Sequence, residues 1–297
     1  MTYPAEDTRV TYPTGAVANA ATVVHVEELP DGRCAVLLNV TSVHPVDAGW
    51  PDQGPDHATL RTDRVDSVDL PVIDAIVGAT DGSTLHLGRE IPVPKATEGW
   101  AFVVVHVLAA GTALAEGDQV TVTVDAGFRA RTSAGHTACH LASLALNLAV
   151  ADRWKKEPRT DALGSPDFDG TAIDVSLITE NASTDTYRLG KSLRKKGFVT
   201  EGIDEALPAL TAAINDTLAA WTATDAAVHI DCDGDRLTDR RYWMCALPGQ
   251  AARIPCGGTH VSALSELGAL RVDLSTADVE GTSVLTMVTT VGAAASA

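Results

Sequence analysis

The chain has 297 residues, with 22 Lys and Arg against 39 Asp and Glu, for a formal net charge of −17. A field of this sign repels DNA and anionic membrane surfaces, so no DNA or membrane partner is expected and any polyanion must meet a local basic patch. The length favours two domains over one.

The first ten residues, MTYPAEDTRV, lack a basic stretch followed by an apolar one, which argues against a cleaved signal and predicts a cytoplasmic protein. The strongest apolar run, WAFVVVHVLAAG from Trp100, is shorter than the roughly 20 residues that cross a bilayer, and it contains His106. It therefore predicts a buried strand. The cysteines are odd in number and never closely paired, which favours reduced thiols or metal ligands over disulfides; they are Cys34, Cys139, Cys232, Cys245 and Cys256.

Residues 1–126 have the pattern of a small β-barrel. ATVVHVEELPDGRCAVLLNV places two β-branched runs around the turn 30–32, and a second pair of runs meets at 81–82. GDQVTVTVD alternates apolar and polar residues at the period of a half-buried strand. Many short strands separated by turns predict a barrel or sandwich.

Residues 127–297 predict an α+β domain. HTACHLASLALNLAVADRW and DEALPALTAAINDTLAAW have apolar residues at helical spacing, the second with Asp204 as a helix N-cap. AAVHID, RRYWMCAL and GALRVDL are strand-like. The weak, polar pattern of residues 157–202 predicts a lid-like insertion or binding loop.

Two residue pairs in this domain predict a metal site. His136 and His140 are four residues apart on one helix, so both imidazoles can reach the same ion. Cys256 and His260 are also four apart, and the glycines at 257–258 allow the tight turn that brings thiolate and imidazole together. Two histidines on an apolar helix edge are more often packed or surface residues than ligands, and Cys256 or His260 alone is explained by a buried thiol or a hydrogen-bonded loop histidine. Together, nitrogen and sulfur ligands of this kind suit Zn²⁺ better than Mg²⁺ or Ca²⁺.

An HxxxH helix followed, after a long insertion, by CGGTH resembles the editing domain of alanyl-tRNA synthetases and their free-standing AlaX relatives, with a cousin in threonyl-tRNA synthetases. VTVDAGFRARTSAGHTACHL resembles the passage into the first ligand pair, and GQAARIPCGGTHVSALSELGALRV the approach to the second. HPVDAGWPDQGPDHATL resembles, more weakly, a proline- and glycine-rich loop of the family. The residues that carry these matches outside the ligands are Asp125, Arg129, Arg131, Pro45, Gly49 and Pro51.

The resemblance implies a zinc-dependent aminoacyl-tRNA deacylase acting in trans, which hydrolyses the ester between an amino acid and the terminal ribose of tRNA. It implies a β-barrel domain followed by a zinc-binding α+β editing domain. The substrate pocket that it implies comprises Pro45, Gly49, Trp50, Gly257, Gly258 and Thr259.

The loop departs from the family in a way that bears on the amino acid. Trp50 stands where the family has Gln, and residues 46–48 replace its glycines, which changes the size and hydrogen bonding of the pocket. A threonine-like load such as fluorothreonine is therefore a candidate beside the seryl and alanyl types, although no residue by itself indicates selectivity for fluorine.

The ligand helix brings no general base. Thr137, Ala138 and Cys139 separate the two histidines, where an HExxH helix has a glutamate. The proton acceptor would come from the insertion, from hydroxide on the metal, or from the neighbouring ribose hydroxyl, and the sequence does not identify it. Four protein ligands would also close the site unless the metal becomes five-coordinate or Cys256 dissociates.

Two basic clusters are candidates for tRNA contact, although solvated helix faces explain them as well. Contacts of this kind bind phosphates without reading bases and weaken with salt. The candidates are Arg153, Lys155, Lys156, Lys191, Arg194, Lys195 and Lys196, with Arg159 and Arg188 beside them.

Two other functions stay open. The acidic charge and altered loop are compatible with a metallohydrolase of a small ester or amide. Four protein ligands are compatible with a non-catalytic binding protein stabilised by zinc. The sequence does not indicate an oligomeric state.

Overall fold

The computed structural model describes residues 3–63 and 68–292 and shows a mixed α and β protein. The chain divides into two compact units, which are treated separately below. The first takes in the described residues of Met1–Arg129 together with Asp231–Arg241 and Gly257–Thr259, and the second those of Ala130–Ile230, Tyr242–Cys256 and His260–Ala297. The short segments 231–241 and 257–259 therefore belong to the first unit, although the residues on both sides of each belong to the second.

Most of the first unit is one eight-stranded sheet in the order β6-β5-β10-β2-β3-β9-β7-β8, beside a parallel pair of β1 and β4. The strands are β1 (Arg9–Val10), β2 (Ala18–Glu28), β3 (Cys34–Leu38), β4 (Val40–Thr41), β5 (Ala58–Thr62), β6 (Asp69–Val72), β7 (Asp74–Thr80), β8 (Leu85–Leu87), β9 (Ala101–Leu108) and β10 (Gln119–Val124).

This sheet curls into a half-barrel. β6 forms one edge of the sheet and pairs with β5, whereas β7 pairs with β9 at the far side. Only Ile73 separates β6 from β7, and its backbone N–H donates to the carbonyl of Val107 at 2.8 Å. The chain can join the two sides so directly only if the sheet bends round. Gly32 and Gly82, at φ 83° and 89°, occupy the left-handed conformation at the two predicted turns.

His106, on β9, is buried inside the first unit. Its Nε2 contacts the hydroxyl of Thr41 at 2.9 Å, and its Nδ1 lies 3.2 Å from the carbonyl oxygen of Val36. Burial lowers the pKa of His106 from 6.5 to about 4. Between these pH values the unfolded chain binds a proton at this site and the folded chain does not, so stability falls as the pH falls through the window.

We therefore expect acid to destabilise the wild type more than His106→Asn. Relative to the variant, the free energy of unfolding in urea should fall by on the order of 3 kcal/mol between pH 6.5 and 4. Taking the difference cancels the other titrating groups. Parallel pH profiles for the two proteins would contradict the buried neutral state of His106.

The second unit combines two sheets with helices. β11, β12, β17 and β16 form one antiparallel sheet in that order, and β13, β14 and β15 form another. The helices are α1 (Ala126–Ala149), α2 (Asp169–Ala172), α3 (Lys191–Lys196) and α4 (Ile203–Thr222). The strands are β11 (Ile173–Thr179), β12 (Ala182–Arg188), β13 (Val228–Cys232), β14 (Arg241–Leu247), β15 (Gln250–Pro255), β16 (Leu270–Val279) and β17 (Thr282–Val291). Of these elements, α1 and β14 begin in the first unit and β13 ends in it.

Short helices and strands occupy much of the segment 157–202, despite its weak, polar pattern. It contains the β11–β12 hairpin, and β12 pairs along its whole length with β17. The residues that β12 buries are Ser183, Asp185 and Tyr187. Because these inward side chains are polar, the strand has no apolar alternation to reveal it.

Gly135, just before the first ligand, allows close packing of α1 against the β11–β12 hairpin. A Cβ at this position would come within 2.4 Å of the carbonyl oxygen of Thr179.

The predicted N-cap of α4 is wrong. Gly202 occupies the N-cap position, and Asp204 accepts a hydrogen bond from Thr276 within the first turn of the helix. Among the described helices, none has the length and apolarity to cross a membrane.

Candidate metal centre

The four predicted ligands come together in the second unit. His136 and His140 lie on adjacent turns of α1, Cys256 follows β15 directly, and His260 comes four residues later. One ligand atom from each lies within 4.8 Å of all the others. The structure thus brings together two motifs that are more than a hundred residues apart in the sequence.

The shortest separations suit binding to one ion. Cys256 Sγ lies 3.2 Å from Nε2 of His260 and 3.5 Å from Nε2 of His136. A sulfur and a nitrogen bound to the same tetrahedral zinc are about 3.5 Å apart, given bond lengths of about 2.3 and 2.0 Å. Both sulfur–nitrogen separations therefore match those of ligands bound to one ion.

His140 supplies a test of whether a metal fits. Its Nε2 is buried and has no hydrogen-bond partner in the described part of the chain. Burial lowers the pKa of His140 to about 4, so the imidazole is neutral near pH 7. A buried neutral imidazole nitrogen without a partner carries a desolvation cost that a metal bond would remove. The donor set therefore fits a metal, and its nitrogen and sulfur composition is of the kind that suits zinc.

Trp243 forms one wall of the cluster and was not identified from the sequence. It is fully buried on β14, and its ring centroid lies 5.0 Å from that of His140. Its Nε1 also has no partner among the described residues. The signal that could have revealed it is the alternation of RYWMCAL, which places Trp243 and Cys245 on the inward face of the strand.

Thr137, between the two histidines, joins the helix to the second ligand pair. Its hydroxyl donates to the carbonyl of Ser133 at 2.9 Å and accepts from the backbone N–H of Val261 at 3.2 Å. Its oxygen also lies 3.1 Å from Nδ1 of His260. In the sequence, Thr137 was notable only because an HExxH helix has a glutamate at that position.

Cys139 lies beside the cluster but is not one of its members. Its thiol donates to Asp185, whose carboxylate also accepts from the hydroxyls of Ser176 and Ser183 at 2.6 and 3.1 Å. Burial and the nearby Asp185 raise the pKa of Cys139 well above its usual value, and burial raises the pKa of Asp185. Cys139 is therefore a protonated thiol within a hydrogen-bonded network, and Cys256 is the sulfur that faces the histidines.

The residues of the predicted pocket belong to the first unit and fall into two groups. Gln53 holds Thr259 by a reciprocal pair: its Nε2 donates to the threonine hydroxyl at 3.0 Å, and its Oε1 accepts from the backbone N–H at 3.1 Å. Trp50, 58% exposed, borders a separate cavity of about 620 Å³ that Gly49 also lines. Pro45 is buried. Gln53, three residues after Trp50, was missed because the loop has no periodicity to single it out.

The three residues that resemble the family ahead of the first ligand pair have distinct structural roles. Asp125 caps α1, accepting from the backbone N–H of Phe128 at 2.9 Å. Arg129 is buried in the first unit against Asp56. Arg131 is exposed in the second unit and pairs with Glu180.

The two predicted basic clusters meet in the second unit. The Lys156 ammonium donates to the carbonyl of Lys195 at 2.9 Å, and the backbone N–H of Lys155 donates to the carbonyl of Gly197 at 2.9 Å. Arg153 differs from the lysines, because its guanidinium donates to the carbonyls of Val199, Glu201 and Gly202. The exposed members are Lys155, Lys156, Lys191, Arg194, Lys195 and Lys196. We call these six the basic surface.

No protein-family model matches the chain. A stretch of 180 residues, 60% of the chain, is 29% identical to the chloroplastic/mitochondrial alanine–tRNA ligase of Micromonas pusilla (strain CCMP1545). That stretch covers 18% of the ligase, so the similarity concerns a fraction of that protein.

Proposed function

We propose that the chain is a zinc-dependent aminoacyl-tRNA deacylase that acts in trans. The convergence of His136, His140, Cys256 and His260 is the observation that carries the proposal. The similarity to an alanine–tRNA ligase supports tRNA as the partner. On this proposal residues 1–126 form a barrel domain and 127–297 the editing domain.

The four ligands would hold zinc at a site that is walled on one side by Trp243. When bound, zinc supplies Lewis acidity, which lowers the pKa of water and polarises an ester carbonyl. The buried imidazole of His136 and the buried indole of Trp243 exclude bulk water from their side of the site, which strengthens electrostatic interactions there. An ester is activated enough to be hydrolysed without a strong protein base, which agrees with a ligand helix that lacks a glutamate.

The first unit would contribute recognition of the amino acid. We propose the residues of the resemblance, Pro45, Gly49, Trp50, Gly257, Gly258 and Thr259, as its pocket. Gln53 supports this assignment within the first unit, because its side chain binds both the hydroxyl and the backbone N–H of Thr259. A bulky indole at position 50 favours a load other than the smallest amino acids, and threonine-like ones are the proposed class.

The test is a panel of charged tRNAs. The zinc-loaded protein is incubated with threonyl-, fluorothreonyl-, seryl- and alanyl-tRNA, and loss of the ester is followed with and without a chelator. We expect at least one of these aminoacyl-tRNAs to be deacylated well above its spontaneous rate, and the chelator to return the rate to the spontaneous value. Spontaneous rates for the whole panel would overturn the proposal. A protein that cleaves only the methyl esters of the same amino acids would instead be a small-ester hydrolase.

We propose that the basic surface binds phosphates of the tRNA backbone, and substitutions of its lysines test this. Replacing Lys155, Lys156, Lys195 and Lys196 with Gln should weaken binding of tRNA and flatten its salt dependence, by up to about one unit of log–log slope for each phosphate that is no longer neutralised. Arg271→Gln is the control, since Arg271 is an exposed cation of the second unit that pairs with Asp273 and is not a member of the basic surface. An unchanged slope in the fourfold variant would place the tRNA elsewhere.

A further inference from the structure

We infer that Thr137 is a positioning residue that fixes the tautomer of His260, so that its Nε2 carries no proton and can bind the metal. The inference rests on the metal site of the proposed function but not on deacylation. It concerns the hydroxyl between the two histidines of α1, which belongs to no ligand motif.

The argument starts from the hydrogen-bonding capacity of a hydroxyl, which has one proton to donate and two lone pairs. The proton of Thr137 goes to the carbonyl of Ser133, four residues back, at 2.9 Å. One lone pair accepts from the backbone of Val261, whose N–H can only donate. The remaining partner, Nδ1 of His260 at 3.1 Å, must then be the donor.

A neutral imidazole carries one N–H proton, so a proton on Nδ1 leaves Nε2 unprotonated. In His260 that nitrogen is the one that lies 3.2 Å from Cys256 Sγ, within the ligand cluster. The rival arrangement has the proton on Nε2, donating to the Cys256 sulfur, with Thr137 donating to Nδ1. It would leave one lone pair of the hydroxyl unused, and it would direct an N–H at the position of the metal.

The same hydroxyl also sets where His260 lies. By accepting from the backbone of Val261 and from the ring of His260, it binds the second ligand pair to the helix that carries the first. Partners that hold the outer nitrogen of a metal-binding histidine typically change metal affinity 10- to 100-fold when they are removed.

The test compares Thr137→Val with Thr137→Ser. Valine keeps the shape of the side chain and removes the hydroxyl, whereas serine keeps the hydroxyl. Competition with a chromophoric chelator should show zinc affinity reduced about 10- to 100-fold in Thr137→Val and restored to within a few-fold in Thr137→Ser. With Co²⁺ in place of zinc, the visible bands of a tetrahedral site should weaken or shift in the valine variant only.

Thr132→Val is the matched control, because Thr132 is another buried threonine of α1 and its hydroxyl has no partner among the described residues. It should leave zinc affinity unchanged. Equal zinc affinity in Thr137→Val and wild type would overturn the inference.

The tautomer itself is read by ¹⁵N NMR of the wild type without metal, which does not depend on any variant folding. Nδ1 of His260 should carry the proton, and a proton on Nε2 would refute the inference. A wild type that binds no zinc would defeat the proposed function, yet the NMR result would still decide the role of Thr137.

Discussion

Replacing His260 with alanine should reduce zinc affinity by about 10²- to 10³-fold and abolish deacylation. Structural zinc sites bind with about 10–16 kcal/mol, so each of four ligands contributes roughly 2.5–4 kcal/mol, or about two to three powers of ten. His260 is also the ligand closest to Cys256 Sγ, at 3.2 Å, and its loss would leave the thiolate without its nearest neighbour in the cluster. Zinc content after dialysis and competition titration measure the first effect, and ester loss from charged tRNA the second.

His136→Ala should behave similarly, because His136 is buried and lies 3.5 Å from the same sulfur. His229→Ala is the control: His229 lies on β13, is exposed, and is not a member of the cluster. Circular dichroism should show both ligand variants still folded. A His260→Ala protein that retains full zinc loading would remove His260 from the site.

The features that the sequence predicted depend on local geometry, whereas those that it missed depend on contacts between distant segments. The pair His136 and His140 was recognisable because a spacing of four on a helix dictates a shared face, whatever surrounds it. The β10 strand was recognisable because Val120, Val122 and Val124 alternate with Thr121 and Thr123, and the structure buries the valines. In these cases local geometry alone determines the result.

The missed residues depend on contacts between distant segments. The role of Gln53 is visible only from its hydrogen bond to Thr259, which lies over two hundred residues away in the sequence. Strand β12 was hidden because its inward residues Ser183 and Asp185 are polar and are satisfied by each other and by neighbouring segments. Thr137 was visible in the sequence, yet its role depends on the direction of one hydrogen bond. No periodicity reports such partners, because tertiary hydrogen bonding creates them.

Arg129 gives the second large effect, on stability. Its guanidinium binds both carboxylate oxygens of Asp56, with Nε 2.7 Å from Oδ1, and donates to the carbonyl of Ser42 at 2.8 Å. The two side chains are 6% and 1% exposed. Arg129→Met should lower the free energy of unfolding of the first unit by about 3–5 kcal/mol, because it leaves the Asp56 carboxylate buried without its counter-charge. Urea unfolding monitored by tryptophan fluorescence measures the change.

Arg131→Met supplies the comparison two residues away. Its partner is Glu180, and the two side chains are 49% and 44% exposed, so solvent screens the pair and its loss should cost less than about 1 kcal/mol. Joint replacement of Arg129 and Asp56 by Met and Leu should recover part of the loss, since no buried charge then remains unpaired. Equal effects of Arg129→Met and Arg131→Met would contradict this account. The two arginines resemble the same family pattern, but burial separates their roles: one stabilises the first unit by neutralising a buried acid, and the other forms a screened ion pair at the surface of the second.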